Sequence, residues 1–253
     1  MSESESMSKS KNKAESKVTH DYTKLNAAHI ADNISKLQLR IGDRFPKSNL
    51  STISAELYKV VGKTLSVVND IMKPNMVLRV SVALVILLLL IGIGFTYYHF
   101  ELPEEGFDLT LFVSFLEAGL SATVLLGAAI IFLVTSETRI KRFRTLRAIS
   151  ELRSLAHVID MHQLTQDPSR VLNRPMFTTH SPRSELTPFQ LSRYLDYCSE
   201  MLSLIGKISA LYAQNYHDSV VITAVNEIES LTTGLSRKIW QKIMIINAEK
   251  SAS

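Results

Sequence analysis

The sequence predicts an all-α fold, a two-helix transmembrane hairpin carrying a cytoplasmic helical bundle, and three observations predict it. Two long runs, Val80–Tyr98 and Leu109–Ser136, contain a single charged residue between them, Glu117. Several further stretches repeat apolar residues at spacings of three and four, the period of a helix with one buried face. No run alternates polar and apolar residues as a half-buried strand does.

The chain has 253 residues and a formal net charge of +4. Residues 1–20 begin MSESESMSKSKNKAESKV, rich in Ser, Lys and Glu. Such a segment has too little apolar surface to offset the entropy of ordering, which predicts a disordered tail. It also lacks the apolar core of a cleavable signal, so the first span is expected to direct insertion.

Residues 21–74 predict two cytoplasmic helices. The first places Leu25, Ala28, Ile30, Ile34, Leu37 and Ile41 near one face and ends at Gly42 and Pro46. The second aligns Ile53, Leu57, Val60 or Val61, Thr64, Val67 or Val68, and Ile71. Pro74 then bends or breaks the chain where it meets the membrane.

The hairpin is expected at 78–136, with spans at 78–98 and 109–136. Each run meets the roughly 20 residues needed to cross a hydrocarbon core about 30 Å thick. Lys59, Lys63, Lys73 and Arg79 precede the first span, and Arg139, Lys141, Arg142, Arg144 and Arg147 follow the second. The link HFELPEEGFD carries Glu101, Glu104, Glu105 and Asp108 but neither Lys nor Arg. Positive residues stay inside, so both termini are expected in the cytoplasm, with Tyr97, Tyr98 and Phe100 at the outer interface. Immediately inside a span, the basic cluster TRIKRFRTLR is read as a contact to anionic lipid headgroups rather than to nucleic acid.

Residues 137–248 predict a cytoplasmic three-helix bundle interrupted by a long loop at 166–187. The helix from Arg139 to Thr165 is expected to continue straight out of the bilayer, burying Phe143, Leu146, Ile149, Leu152, Ala156 and Ile159. Thr187–Pro188 is a helix start, a capping hydroxyl followed by proline. Leu191, Leu195, Cys198, Leu202, Ile205, Ser209 and Tyr212 form one stripe; Val221, Val225, Ile228, Thr232, Leu235 and Ile239 form another. Joined by a short break at NYHDS, they predict an antiparallel hairpin. Charges flanking it (Arg193, Asp196, Glu200, Glu227, Glu229, Arg237 and Lys238) are read as setting its register. Cys198, the lone cysteine, lies on a buried stripe and is assigned to packing.

The stretches FLEAGLSATVLLGAAIIFLVTSETRIKR, LAHVIDMHQLTQDP, LSRYLDYCSEMLSLIGKISALYAQ and VNEIESLTTGLSRKIWQKIMI resemble a family of bacterial two-span inner-membrane proteins whose activity is uncharacterised. The resemblance covers about Phe45 to Ile246. It implies a multi-pass protein of the bacterial inner (plasma) membrane with this architecture, and it assigns no functional residue.

An ionisable residue inside a span is a functional candidate. Glu117 falls roughly 12 Å below the outer start of its span at 1.5 Å per residue. In a hairpin, Gly92, Gly94, Thr96 and Tyr97 are expected at that level, with Thr96 or Tyr97 hydrogen-bonding the carboxyl. Ser114, Ala118 and Ala122 form one row of small residues, and Gly119, Thr123 and Gly127 another, as close helix packing in lipid requires. A conducting path needs further polar stations, and the spans offer only hydroxyls, so a helix-locking or oligomer-locking role is favoured. His157, Asp160 and His162 are weak metal candidates, because the carboxylate-rich Glu-x-x-His set of bundle metal sites is missing. No phosphate-binding loop, dinucleotide fingerprint, paired-cysteine zinc spacing or nucleophile elbow occurs. No catalytic residue, metal or cofactor is assigned. The leading expectation is a membrane-anchored, self-associating scaffold or regulatory subunit that offers its bundle to a cytoplasmic protein partner. An oligomeric ion or proton channel using Glu117 is second, and a membrane-bound metal enzyme or hydrolase third.

Overall fold

The computed structural model describes residues 24–73, 76–98, 109–171 and 186–252. The predicted tail at 1–20, the acidic link between the spans, Pro74 and most of the 166–187 loop lie outside them. The fold is all-α, with no strand among the described residues. In chain order the helices are α1 (Ala27–Arg44), α2 (Asn49–Met72), α3 (Met76–Tyr98), α4 (Leu109–Leu164), the short α5 (Pro168–Val171), α6 (Pro188–Asn215) and α7 (Ser219–Ala252).

Local chemistry fixes where these helices begin. Asn26 accepts from the Ala28 and His29 N–H groups at 2.9 and 3.3 Å, and Ser48 accepts from Ser51 at 3.2 Å. Thr187 and Gln190 form a reciprocal capping box with Pro188 at the first turn, as the sequence predicts. The Asp218 Oδ1 accepts from Val220 and Val221 at 3.1 and 3.2 Å, which starts α7. Each cap satisfies backbone donors that the first helical turn leaves without partners.

The sequence predicts a three-helix bundle with separate N-terminal helices; the structure has one core built from α1, α2, the inner half of α4, α6 and α7. The reason is physical. The stripes of α1 (Ile30, Ile34, Leu37, Ile41) and α2 (Ile53, Leu57, Val61, Val68, Ile71) need cover, and α4, α6 and α7 alone leave a face that supplies it. Phe45, at the corner between α1 and α2, sets its ring edge-on to Tyr194 and Tyr197, centroids 5.8 and 6.3 Å apart. Both predicted stripes of α6 and α7 are buried from end to end.

On α4 the buried positions are Thr145, Ile149, Leu152, Ala156, Ile159 and Gln163, alternating spacings of four and three. That phase bypasses Phe143, which the sequence places inside and the structure leaves 69 % exposed. Thr145 takes the position because its hydroxyl donates to the Lys141 carbonyl at 2.9 Å and so carries no unmet polar group inward. Ser54, Thr64, Ser209 and Thr232 are buried on the same terms, each bonded to a carbonyl of its own helix. Surface ion pairs run from α6 to α1 (Glu200–Arg40, 2.5 Å) and from α7 to α4 (Glu227–Arg153), rather than between α6 and α7 as the charge pattern suggests.

Candidate functional site

α3 and α4 are long and apolar enough to cross a membrane, and their apolar windows bury nothing inside the protein. Among described residues, α3 is half-buried at Leu78, Ser81, Val82, Val85 and Leu89, and α4 at Leu126, Gly127, Ala129, Ile130, Leu133 and Ser136. These positions mark a seam on the inner half of the hairpin. Towards the outer end, Leu116, Leu120 and Val124 are exposed.

Glu117 is exposed on this outer half. Thirteen residues before Ile130 at 3.6 per turn, it points about 140° round the helix from the seam. A Cβ built on Gly92, Gly94, Gly119 or Gly127 would meet nothing within 4 Å among the described residues. The side chains of Thr96 and Tyr97 lie outside those described. Ser114, Ala118 and Ala122 are exposed too. The hydroxyls of Ser81, Thr123 and Ser136 donate to carbonyls of their own helices at 2.8–2.9 Å.

Just C-terminal to the apolar run of α4, its five basic residues between 139 and 147 have different fates. Arg142 donates from Nε and Nη2 to Asp218 Oδ2 at 2.9 and 2.6 Å, tying α4 to the corner between α6 and α7. The Tyr216 hydroxyl adds a bond to the Thr138 carbonyl at 3.2 Å. Burial pushes the Asp218 carboxyl up, but Arg142 and the Val221 and Val220 N–H groups outweigh it and hold the group below its ordinary value. Lys141 pairs with Glu137 at 2.8 Å. Arg139, Arg144 and Arg147 are exposed. Asp218 is not among the residues expected from the sequence, and its pairing with Arg142 spans 76 positions and leaves no local signal.

Arg144 and Arg147 also line a cleft of about 490 Å³ between α2 and α4, beside Met76 at the start of the first span. Tyr212 of α6 forms part of its lining. The Tyr212 side chain is buried and its hydroxyl lies beside that of Thr64. Thr64 spends its own proton on the Val60 carbonyl.

At the far end of α4, His157 is exposed and Asp160 accepts from the Gln163 amide at 2.7 Å. No group of three or more His, Cys, Asp or Glu residues suited to a metal ion occurs among the described residues. What does gather there is Lys242, whose ammonium donates to the carbonyls of Gln163 and Gln166 at 2.7 and 3.0 Å. A cation on the last carbonyls of a helix opposes the negative end of its dipole. Burial lowers the Lys242 pKa, with Asp167, Asp160 and Cys198 acting against that. Cys198 is fully buried and its thiol is pushed up to about 12 by that burial. Compared with protein-family models, curated proteins and solved structures, the chain matches none.

Proposed function

We propose that this chain is a membrane-anchored, self-associating scaffold or regulatory subunit, held by the α3–α4 hairpin and offering its helical bundle to a cytoplasmic protein partner. The observation that carries the reading is Glu117, a carboxyl exposed within the long apolar run of α4. A carboxyl in hydrocarbon needs a hydrogen-bond partner, and a second copy of this chain would supply one. The small residues Ser114 and Ala118 beside it permit close approach of helices. The basic flanks on both spans support cytoplasmic termini, and the resemblance of several stretches to two-span bacterial proteins supports an inner (plasma) membrane.

Replacing Glu117 separates this reading from an oligomeric channel. In lipid nanodiscs the wild-type mass should exceed one copy; Glu117→Gln should keep the assembly because the amide still hydrogen-bonds, and Glu117→Leu should weaken it. A single copy per disc at all protein concentrations would refute self-association. Ion flux in wild-type vesicles that Glu117→Gln abolishes, with assembly intact, would assign the acid to conduction instead.

A further inference from the structure

The cleft between α2 and α4 has the chemistry of a binding site for an amphiphile with a negative head. Its lining contains Lys63, Lys73, Lys141, Arg144 and Arg147, five cations, against the three carboxylates Asp70, Glu137 and Glu151. Lys141 is taken by Glu137, and Lys73 lies 3.8 Å from Asp70. Lys63, Arg144 and Arg147 make no ion pair among the described residues. Between these charges the walls are apolar, with Val60, Val67, Ile71 and Ile140 prominent. The hydroxyls of Tyr212 and Thr64 add two neighbouring polar atoms to the lining.

Position selects the source of the ligand. Met76 begins the first span, and Glu137 and Ile140 follow the second, so the cleft opens where the hairpin would leave the bilayer. A second cavity of about 900 Å³ continues along the same helix pair, sharing Val60, Lys63, Arg147 and Glu151. A volume near 490 Å³ lies in the range of ligand pockets, about 300–1,000 Å³. It accommodates a phosphate, a glycerol and the first part of an acyl chain, the remainder passing Met76 towards the hydrocarbon.

We propose that this cleft seats the phosphate headgroup of one anionic phospholipid per chain, with Arg144, Arg147 and Lys63 on the phosphate and the α2–α4 walls on the upper acyl chain. This rests on the membrane reading above. It differs from a diffuse attraction of basic residues to a charged surface, because it requires an open cavity as well as charge.

The test uses the full chain in neutral detergent, titrated with phosphatidylglycerol and followed by native mass spectrometry. One lipid per chain should bind. Arg144→Gln with Arg147→Gln should weaken binding about tenfold or more. Ala148→Phe, which fills the cleft without changing charge, should weaken it comparably, while Arg139→Gln, outside the cleft, should leave it unchanged. Circular dichroism on each variant confirms that the helices persist, and the charge variants, at exposed positions, remain informative should Ala148→Phe fail to fold. Normal binding by folded Ala148→Phe, or by the double Arg variant, would overturn the proposal. Complete displacement by inorganic phosphate would reassign the cleft to a free anion and overturn it as well. A chain that alkaline washing strips from membranes would defeat the membrane reading itself. One that stays in the membrane yet shows no cleft dependence would defeat only this inference.

Discussion

Asp218 does two jobs with one carboxylate: one oxygen caps α7 and the other receives Arg142. Its folded pKa is held below the ordinary 3.8, so folding is favoured by the ionised form. The sign follows from linkage: this contribution is complete above the unfolded value and drains away as pH falls from about 4 through the lower folded value. Asp218→Asn keeps an oxygen for the Val220 and Val221 N–H groups but loses the charge pair. Its stability should therefore fall less steeply in acid than the wild type, as read by thermal unfolding between pH 5 and 3. At the other end of the bundle, Lys242→Met would strip two carbonyls of their donor and should cost about 1–3 kcal/mol in denaturant unfolding. Unfolding titrations that superimpose on the wild type would show that water replaces the ammonium without loss. Cys198, with its thiol pushed up to about 12 and no exposed surface, should resist alkylation in the native protein and react promptly once unfolded. Fast labelling under native conditions would mean that α6 opens locally.

Between elements, the described glycine that marks a close approach is Gly206, where α6 meets α7. A Cβ at Gly206 would lie 3.3 Å from the Thr232 hydroxyl, whereas one at Gly234 would meet nothing. The two glycines thus predict opposite outcomes. Gly206→Leu should destabilise by about 1–3 kcal/mol through overpacking, and Gly234→Ala should stabilise by roughly 0.5–1 kcal/mol through backbone entropy and helix propensity. The bundle helices were legible in the sequence through their apolar stripes, and α6 also through its start, Thr187 followed by Pro188. What the sequence hid was which stripes face which. The α1 and α2 stripes announce that they are buried without saying against what, and the charges of Glu200 and Glu227 find partners on α1 and α4 that lie far away in the chain. Phe143 misled because its size argued for burial while the helix phase, decided by the polar Thr145, turned it out. The cleft was half legible: its arginines stood out as a cluster, but Lys63 and Tyr212 join it only through the packing of α2 and α6 on α4.

For the molecule as a whole, a single core means that residues N-terminal to the hairpin and C-terminal to it fold together. Removing residues 1–73 should therefore expose the faces of α4, α6 and α7 that α1 and α2 cover, leaving a bundle that aggregates or unfolds without a cooperative transition. A truncated chain that melts as sharply as the full one would show that the core divides. The closed bundle also fixes the mechanical character of α4. It runs unbroken for 56 residues from the outer half of the hairpin to the far end of the bundle, about 84 Å at 1.5 Å per residue. It is a single stiff beam fastened near its middle by Arg142. Rocked by about 10° around its outer tip, such a beam carries its opposite end roughly 15 Å sideways, so any reorientation of the second span should be felt at Gln163 without a joint to absorb it.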